Sequence, residues 1–290
     1  MFKRIALGIS GGVDSAVAAL LLKRAGYHVE GVFMRNWDSN YESGFCSDEK
    51  DFEDATFVCR VRLLQPKDKF KDQTFFLSQV KQFSLRRCMF PLANLLKSQV
   101  REIAKSEGLL NVATKKDSTG ICFIGKKRFQ DFIEEYIETK RGNFIDIDTG
   151  QIVGEHSGLH KWTVGQRCCL ADWKDAYFIF KKDLDTNNIY VVAGTNHPAI
   201  RNDICFTRKP HWIYNEPQEL SRGDMLYCSF RFQHTKPLVP CRIVNNSEGL
   251  TIYLDRKLRA ITEGQYGVLY KDGECLGSAK IADVCRDLIY

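Results

Sequence analysis

The apolar positions of this chain follow a helical period in its first half and a strand period in its second. An apolar run from Ile5 to Ile9 predicts a strand, and residues Ala16 to Ala25 repeat at helical spacing. Gly26 then marks a helix C-terminus, and Val29 to Met34 predicts a second strand. A strand, helix and strand of this length predict the start of a doubly wound parallel α/β sheet, in which ligands bind at the carboxyl ends of the strands.

Three further helices are predicted before the period changes. One is acidic and spans Asp48 to Cys59, a second ends at Gly108, and the third carries an aromatic stripe from Phe129 to Tyr136 that is expected to face a core. From Gly142 onward the period is two, which predicts strands. The predicted strands are the hairpin Phe144–Gly154 and the segments Tyr177–Phe180, Ile189–Ala193, Met225–Phe232, Leu238–Val244, Leu250–Leu254 and Tyr266–Tyr270.

These patterns predict three domains. Residues 1–140 form the α/β domain, residues 141–204 a central β-rich domain, and residues 205–290 a small C-terminal β-barrel. Two predicted strands are too few for a stable open sheet, so the α/β domain is expected to lack sheet and helix elements after Cys59.

Composition indicates a soluble globular protein in a reducing compartment. The 290 residues carry a net charge of +6, a modest excess that favours an acidic partner. No apolar run is long enough for a membrane span, so no membrane association is expected. Eleven cysteines are scattered without the spacing of a disulfide framework or a zinc site, and no protein-held metal or permanently bound cofactor is expected.

A glycine-rich turn between the first strand and helix is the main candidate for chemistry. It comprises Gly8, Ile9, Ser10, Gly11, Gly12, Val13, Asp14 and Ser15. Adjacent glycines let backbone N–H groups approach an anion, and the helix N-terminus adds further donors and a positive dipole end. The turn is therefore predicted to hold phosphate, although no lysine closes it as in a Walker loop. Met34, at the end of the second strand, is either a core residue or an adenine contact.

The turn resembles the pyrophosphate loop of N-type ATP pyrophosphatases, which adenylate a substrate oxygen. With this turn and several later segments, the chain resembles the tRNA-specific 2-thiouridylases of mitochondrial type along essentially its whole length. The segments that carry this resemblance are Gly31–Trp37, Lys71–Leu77, Lys115–Gly125 and Thr163–Arg167.

The resemblance implies a set of site roles. The Gly8–Ser15 turn would bind the phosphates of ATP with Mg²⁺, and Met34 would contact the adenosine. Cys122 would carry a persulfide received from a sulfur-donor protein and deliver it to C2 of the wobble uridine, and Lys115 and Lys116 would favour its thiolate if they lie close. The tRNA contacts would be Lys71, Asp72, Gln73, Arg231 and Phe232. The implied partners are tRNA and a persulfide donor, and not DNA.

One departure from the resemblance concerns the residues near 60–64. Family members carry there an Asn-Pro-Asp segment, a second catalytic cysteine and a Gly-His-Tyr motif, none of which this sequence has. The second cysteine resolves the persulfide by forming a disulfide with the first. The chain is therefore predicted to be internally shortened, and its turnover is in question.

Two alternatives to the sulfurtransferase stay open at this point. One is an inactive shortened form that only binds tRNA, and the other is a small-molecule adenylating ligase. Residues Phe75 to Val80 and the many cysteines resemble animal organellar members of the family, and this resemblance implies the mitochondrial matrix as the location, with the cytoplasm as the alternative.

Overall fold

A computed structural model of the protein describes residues 4–8, 13–32, 61–115, 129–168 and 176–285. Contacts divide the chain into two compact units. Unit 1 comprises residues 1–123 with 273–275, and unit 2 comprises residues 124–272 with 276–290. The predicted helix Asp48–Cys59 lies outside the described residues, as do Met34, Cys122 and residues 9–12 of the phosphate turn.

Unit 1 begins with the predicted strand, helix and strand. Strand β1 (Arg4–Gly8) pairs in parallel with β2 (His28–Val32), and helix α1 (Val13–Arg24) connects them. The elements that follow are β3 (Leu63–Leu64), α2 (Thr74–Leu77), α3 (Gln82–Leu85), α4 (Lys97–Ser106) and α5 (Leu110–Ala113). Within this unit β3 pairs with Glu274 and Cys275.

The core of unit 1 forms where α1 packs against α4. Val13 and Val17 of α1 are buried together with Val100 and Ala104 of α4. Helix α4 ends just before Gly108, whose φ of +75° is the left-handed conformation that terminates helices. The predicted helix and its stop signal are confirmed.

Unit 2 contains α6 (Phe129–Ile133) and a five-stranded sheet. The sheet consists of β4 (Gly142–Asp146), β5 (Ile152–His156), β6 (Arg167–Cys168), β7 (Tyr177–Asp183) and β8 (Asn188–Ala193), in the order β5-β4-β8-β7-β6. The predicted aromatic stripe is wrong as a core face, because α6 spans only five residues and both Phe129 and Tyr136 are mostly exposed.

The rest of unit 2 is a closed barrel. Its strands are β9 (Arg201–Thr207), β11 (Leu226–Arg231), β12 (Val239–Asn245), β13 (Leu250–Arg259), β14 (Tyr266–Lys271) and β15 (Glu274–Val284), with β10 (His211–Trp212) beside β15 and α7 (Gln218–Ser221) before β11. Pairing of β15 with β9 closes the ring. Alternate residues such as Phe230, Ile252 and Leu269 point inward and are fully buried, which confirms the barrel predicted from the period of two.

The five-stranded sheet and the barrel belong to one contact unit, so the predicted division into three domains stays a prediction. Among the described residues, no helix is long and apolar enough to cross a membrane. The same ranges hold no cluster of three or more side chains suited to binding a metal ion.

Candidate functional site

The predicted phosphate turn begins at the carboxyl end of β1 and ends at the N-terminus of α1. Gly8 closes β1 opposite Val32, and Asp14 lies in the first turn of α1 with its side chain more than half exposed. Burial of Val13 and Val17 fixes this end of the helix. The first turn of a twelve-residue helix therefore faces the carboxyl edge of the two-stranded sheet, where anion binding is favoured.

A lysine from a distant part of the chain lies against this turn. Nζ of Lys97 is 2.5 Å from Oδ1 and 2.6 Å from Oδ2 of Asp14. Lys97 is the first residue of α4, and its backbone N–H donates to Oδ2 of Asp68 at 2.9 Å. The sequence analysis missed this cation because the turn itself contains no lysine, and only the packing of α4 on α1 brings Lys97 to it.

Asp68 also shapes the segment that precedes Lys71. Its Oδ1 accepts a hydrogen bond from the N–H of Phe70 at 3.1 Å, which caps the short 3₁₀ helix Lys69–Lys71. Phe70 is 92% exposed and stands between two exposed lysines. An exposed ring between cations is suited to stacking on a nucleobase, and this Lys-Phe-Lys sequence was the signal that could have revealed it.

The three residues Lys71, Asp72 and Gln73 do not share one environment. Lys71 and Gln73 are exposed, whereas Asp72 is fully buried. Oδ1 of Asp72 accepts hydrogen bonds from the N–H and the hydroxyl of Thr74 at 3.0 and 2.6 Å, and its Oδ2 accepts one from Nε2 of Gln65 at 2.7 Å. The carboxylate thus holds the backbone so that its two neighbours face solvent, and it presents no surface of its own.

The other predicted RNA contact, Arg231 and Phe232, lies at the end of β11 and is also largely buried. Arg231 is 6% exposed, with its guanidinium 5.3 Å from the ring centroid of Tyr270. The ring of Phe232 is 7% exposed and stacks on Phe230 at 6.1 Å. Phe232 is therefore part of the barrel core, and within the described residues its ring has no open face for a base.

Both residues line a cavity of about 570 Å³ within unit 2. Its walls are the turn Thr163–Gln166 and the barrel segments Phe230–Gln233 and Arg256–Ala260, together with Arg201, Lys236, Pro237 and Val239. Part of the predicted motif Thr163–Arg167 thus lies beside the predicted contact at Arg231. Proximity of these two motifs was not apparent from the sequence.

The barrel thiols have little acid strength. Burial raises the pKa of Cys205 to about 12. The pKa of Cys241 is raised as well, because its Sγ lies 3.5 Å from Sγ of Cys228 and because it is buried. Protonated, buried thiols are poor nucleophiles, so these cysteines serve as small apolar core residues, as the sequence indicated.

Three family models match the chain in order. The tRNA methyl transferase HUP domain matches residues 3–62 and 59–126, the tRNA methyl transferase PRC-barrel domain matches residues 130–193, and the aminomethyltransferase β-barrel domain matches residues 202–281. This order confirms the predicted fold class, an α/β domain followed by a small β domain and a β-barrel.

Curated relatives are similar along nearly the whole chain. A protein named mitochondrial tRNA-specific 2-thiouridylase 1 from Drosophila melanogaster is 40% identical over 366 aligned positions, covering 97% of this chain and 94% of the relative. The human protein of the same name is 34% identical, covering 96% and 90%. The tRNA-specific 2-thiouridylase MnmA of Bacillus subtilis is also 34% identical, covering 98% and 96%.

Proposed function

The chain belongs to the tRNA-specific 2-thiouridylase family, and from this we propose that it is an ATP-dependent sulfurtransferase that makes 2-thiouridine at the wobble position of tRNA. The observation that carries the proposal is similarity to enzymes of this name over at least nine tenths of both chains. The lysine and carboxylate at the phosphate turn add support from the geometry.

ATP is proposed to bind at the carboxyl edge of β1 and β2. The Gly8–Ser15 turn and the N-terminus of α1 would hold its phosphates, and Met34 would contact the adenosine. Asp14 and Ser15 offer the oxygen ligands that Mg²⁺ prefers, so the residues present fit an ion that arrives with ATP. Lys97 pairs with Asp14, and we propose that its ammonium group would neutralise a phosphate or the departing pyrophosphate.

The proposed reaction requires three displacements. The uridine O2 attacks the α-phosphorus of ATP and pyrophosphate leaves, which converts a poor leaving oxygen into AMP. The terminal sulfur of a persulfide on Cys122, supplied by a donor protein, then attacks C2, and AMP leaves with the original oxygen. A second thiol must cleave the remaining S–S bond, releasing the thiocarbonyl and forming a disulfide with Cys122.

We further propose that the chain lacks the family segment that supplies this second thiol. In support, the HUP-domain family model matches in two stretches that meet at residues 59–62, and the alignment with the Drosophila relative is longer than the 290 residues of this chain. An external thiol would then have to complete each turnover. The same observation favours a second candidate function, a protein that binds tRNA without modifying it.

The tRNA is proposed to contact Lys71, Gln73 and Arg231, with Asp72 and Phe232 holding these residues in position from the core. Phe70 joins this set as an exposed stacking surface. The names of the relatives support a mitochondrial location, for which we propose the matrix, with the cytoplasm as the alternative.

The test is 2-thiouridine content, measured by mass spectrometry in an unmodified target tRNA incubated with the protein, ATP, Mg²⁺, a persulfide donor and a low-molecular-weight thiol. We expect thiolation that disappears in Cys122→Ala and persists in Cys88→Ala, since Cys88 is exposed but lies outside the motif. Tight tRNA binding without thiolation would instead establish the tRNA-binding protein.

A further inference from the structure

Two cysteines of the barrel face each other across a strand pair. Cys228 of β11 and Cys241 of β12 are directly opposite in the antiparallel register, and their Sγ atoms are 3.5 Å apart. Residues opposite each other in such a pair have Cα atoms about 4.5–5.5 Å apart, within the range of about 4.4–6.8 Å that a disulfide spans. The two strands therefore suit a cross-link, and only the side chains must close the remaining distance between the sulfurs.

The two thiols differ in their access to solvent. Cys228 is half-buried and packs against the barrel core, whereas Cys241 is 3% exposed. A small reagent dissolved in water can therefore reach Cys228 but not Cys241. Thiols that respond to oxidants are accessible in this way and lie next to a second thiol that completes the reaction.

A lysine lies near the more exposed thiol. Nζ of Lys271 on β14 donates to Oε1 of Glu219 at 2.8 Å, and this hydrogen bond is the main cause that raises the pKa of Lys271. The charge of an ionised Cys228 contributes a smaller increase, so the ammonium group and the sulfur are close enough for their charges to interact. A nearby cation favours the thiolate, which is the reactive form of a cysteine.

Other described thiols have different surroundings. Cys205 is fully buried on β9, out of reach of a dissolved oxidant. Cys88 is exposed, but its Sγ donates to the carbonyl of Ser84 at 3.2 Å and does not face a second sulfur there. Cys205 and Cys88 therefore provide two internal references for the reactivity of the facing pair.

We propose that Cys228 and Cys241 form a reversible disulfide when the folded protein meets hydrogen peroxide. The Cys228 thiolate attacks one peroxide oxygen, the O–O bond breaks, and the hydroxide that leaves takes up the proton lost by Cys228, which gives a sulfenic acid and water. Sγ of Cys241 then attacks Sγ of Cys228, the S–O bond breaks, and the hydroxyl leaves as water with the Cys241 proton. The two thiols lose two electrons in total, and the peroxide is reduced to two molecules of water.

Contact between the two sulfurs compensates for the weak nucleophilicity of the protonated Cys241 thiol, because the second step is intramolecular. The disulfide would close a loop between positions 13 apart in the sequence. This loop contains Arg231 and Phe232, which line the cavity of about 570 Å³. Oxidation would thus place one wall of that cavity within a covalently closed hairpin. The proposal is independent of the proposed function.

The test treats the folded full chain with hydrogen peroxide, blocks the remaining thiols with an alkylating reagent and maps the peptides by mass spectrometry. We expect a cross-linked pair of peptides that joins residues 228 and 241, is lighter than the two separate peptides by two hydrogen atoms, and is lost on reduction with dithiothreitol. In Cys241→Ala the cross-link should be absent, and a dimedone adduct, which reports sulfenic acid, should accumulate on Cys228. Cys205→Ala is the matched control, because it removes a buried thiol of the same core and should leave the cross-link intact.

A folded chain in which Cys88 is oxidised while Cys228 and Cys241 are both still alkylated would overturn the proposal. A cross-link that forms only in urea would overturn it as well, because the proposed reaction depends on the folded strand pair. Circular dichroism confirms that each variant is folded. Mapping of the wild-type chain needs no substitution, so it decides the proposal even if Cys241→Ala does not fold.

Discussion

The contact between Gly165 and Ala260 gives the sharpest prediction for stability. In Gly165→Ala the new methyl carbon would lie 2.2 Å from Cβ of Ala260, whereas carbon atoms in contact are normally about 3.5–4.0 Å apart. Backbone or Ala260 must move by more than an ångström, and overpacking of this kind costs about 1–3 kcal/mol. A side chain at a φ of +80° adds about 1–2 kcal/mol, so the free energy of unfolding should fall by roughly 2–5 kcal/mol.

The assay is urea unfolding of the full chain, with Gly264→Ala as the matched control. Gly264 also has a left-handed φ, +86°, but a Cβ there meets none of the described atoms within 4 Å. It should therefore show only the conformational cost of about 1–2 kcal/mol. The difference between the two variants isolates the steric clash.

A second substitution separates the clash from other effects. Ala260→Gly removes the methyl group that Gly165→Ala would strike, so the double variant should recover most of the steric cost, a coupling of about 1–3 kcal/mol. If Gly165→Ala is no more destabilising than Gly264→Ala, or if the double variant recovers nothing, the described approach of these two residues is wrong.

Three further predictions concern other described residues. Asp72→Ala leaves the hydrogen-bond donors of Thr74 and Gln65 without their acceptor, so the free energy of unfolding in urea should fall by about 1–3 kcal/mol. Gln73→Ala should leave that free energy unchanged and weaken tRNA binding in a binding assay. Lys97→Met should slow tRNA-dependent pyrophosphate release on the order of a hundredfold without unfolding the chain, and an unchanged rate would exclude Lys97 from the ATP site. Cys205 keeps its proton when folded, with a pKa of about 12 against 9.0 for an unperturbed cysteine thiol, so the unfolded chain ionises first and stability should fall as pH rises above about 9. Urea unfolding between about pH 8 and 10.5 should show a shallower fall in Cys205→Ala, and an identical fall would show that Cys205 is not the group responsible.

Local patterns predicted most strands of the β half of the chain but missed β9 and β15, the two strands whose pairing closes the barrel. Alternation of period two specifies which side of a strand is buried, and in the closed ring from β9 to β15 the apolar sides of the strands pack against one another. The stripe from Phe129 to Tyr136 shows the limit of the same reasoning. An apolar helix face indicates that the helix would pack against another surface, but it does not identify that surface. In the described structure these two rings are mostly exposed.

The part of the candidate site that is contiguous in sequence could be proposed from the sequence, whereas the part that is assembled by packing could not. Gly8 and Asp14 belong to a turn that is legible in the chain, whereas Lys97 reaches Asp14 across 83 positions. The burial of Asp72 could not be predicted from the sequence either, because a short loop has no periodic pattern that would separate a buried residue from its exposed neighbours. Cys122 and Met34 lie outside the described residues, so their roles stay predictions.

The buried thiols of the barrel have a consequence for the handling of sulfur. The proposed donor protein would deliver a reactive sulfur atom, which any thiolate in reach could capture. Cys205 and Cys241 lie in the same polypeptide, yet their raised pKa values keep them protonated, and a protonated thiol does not compete for that atom. The barrel can thus use cysteine as a packing residue while Cys205 and Cys241 stay unreactive toward the proposed sulfur donor.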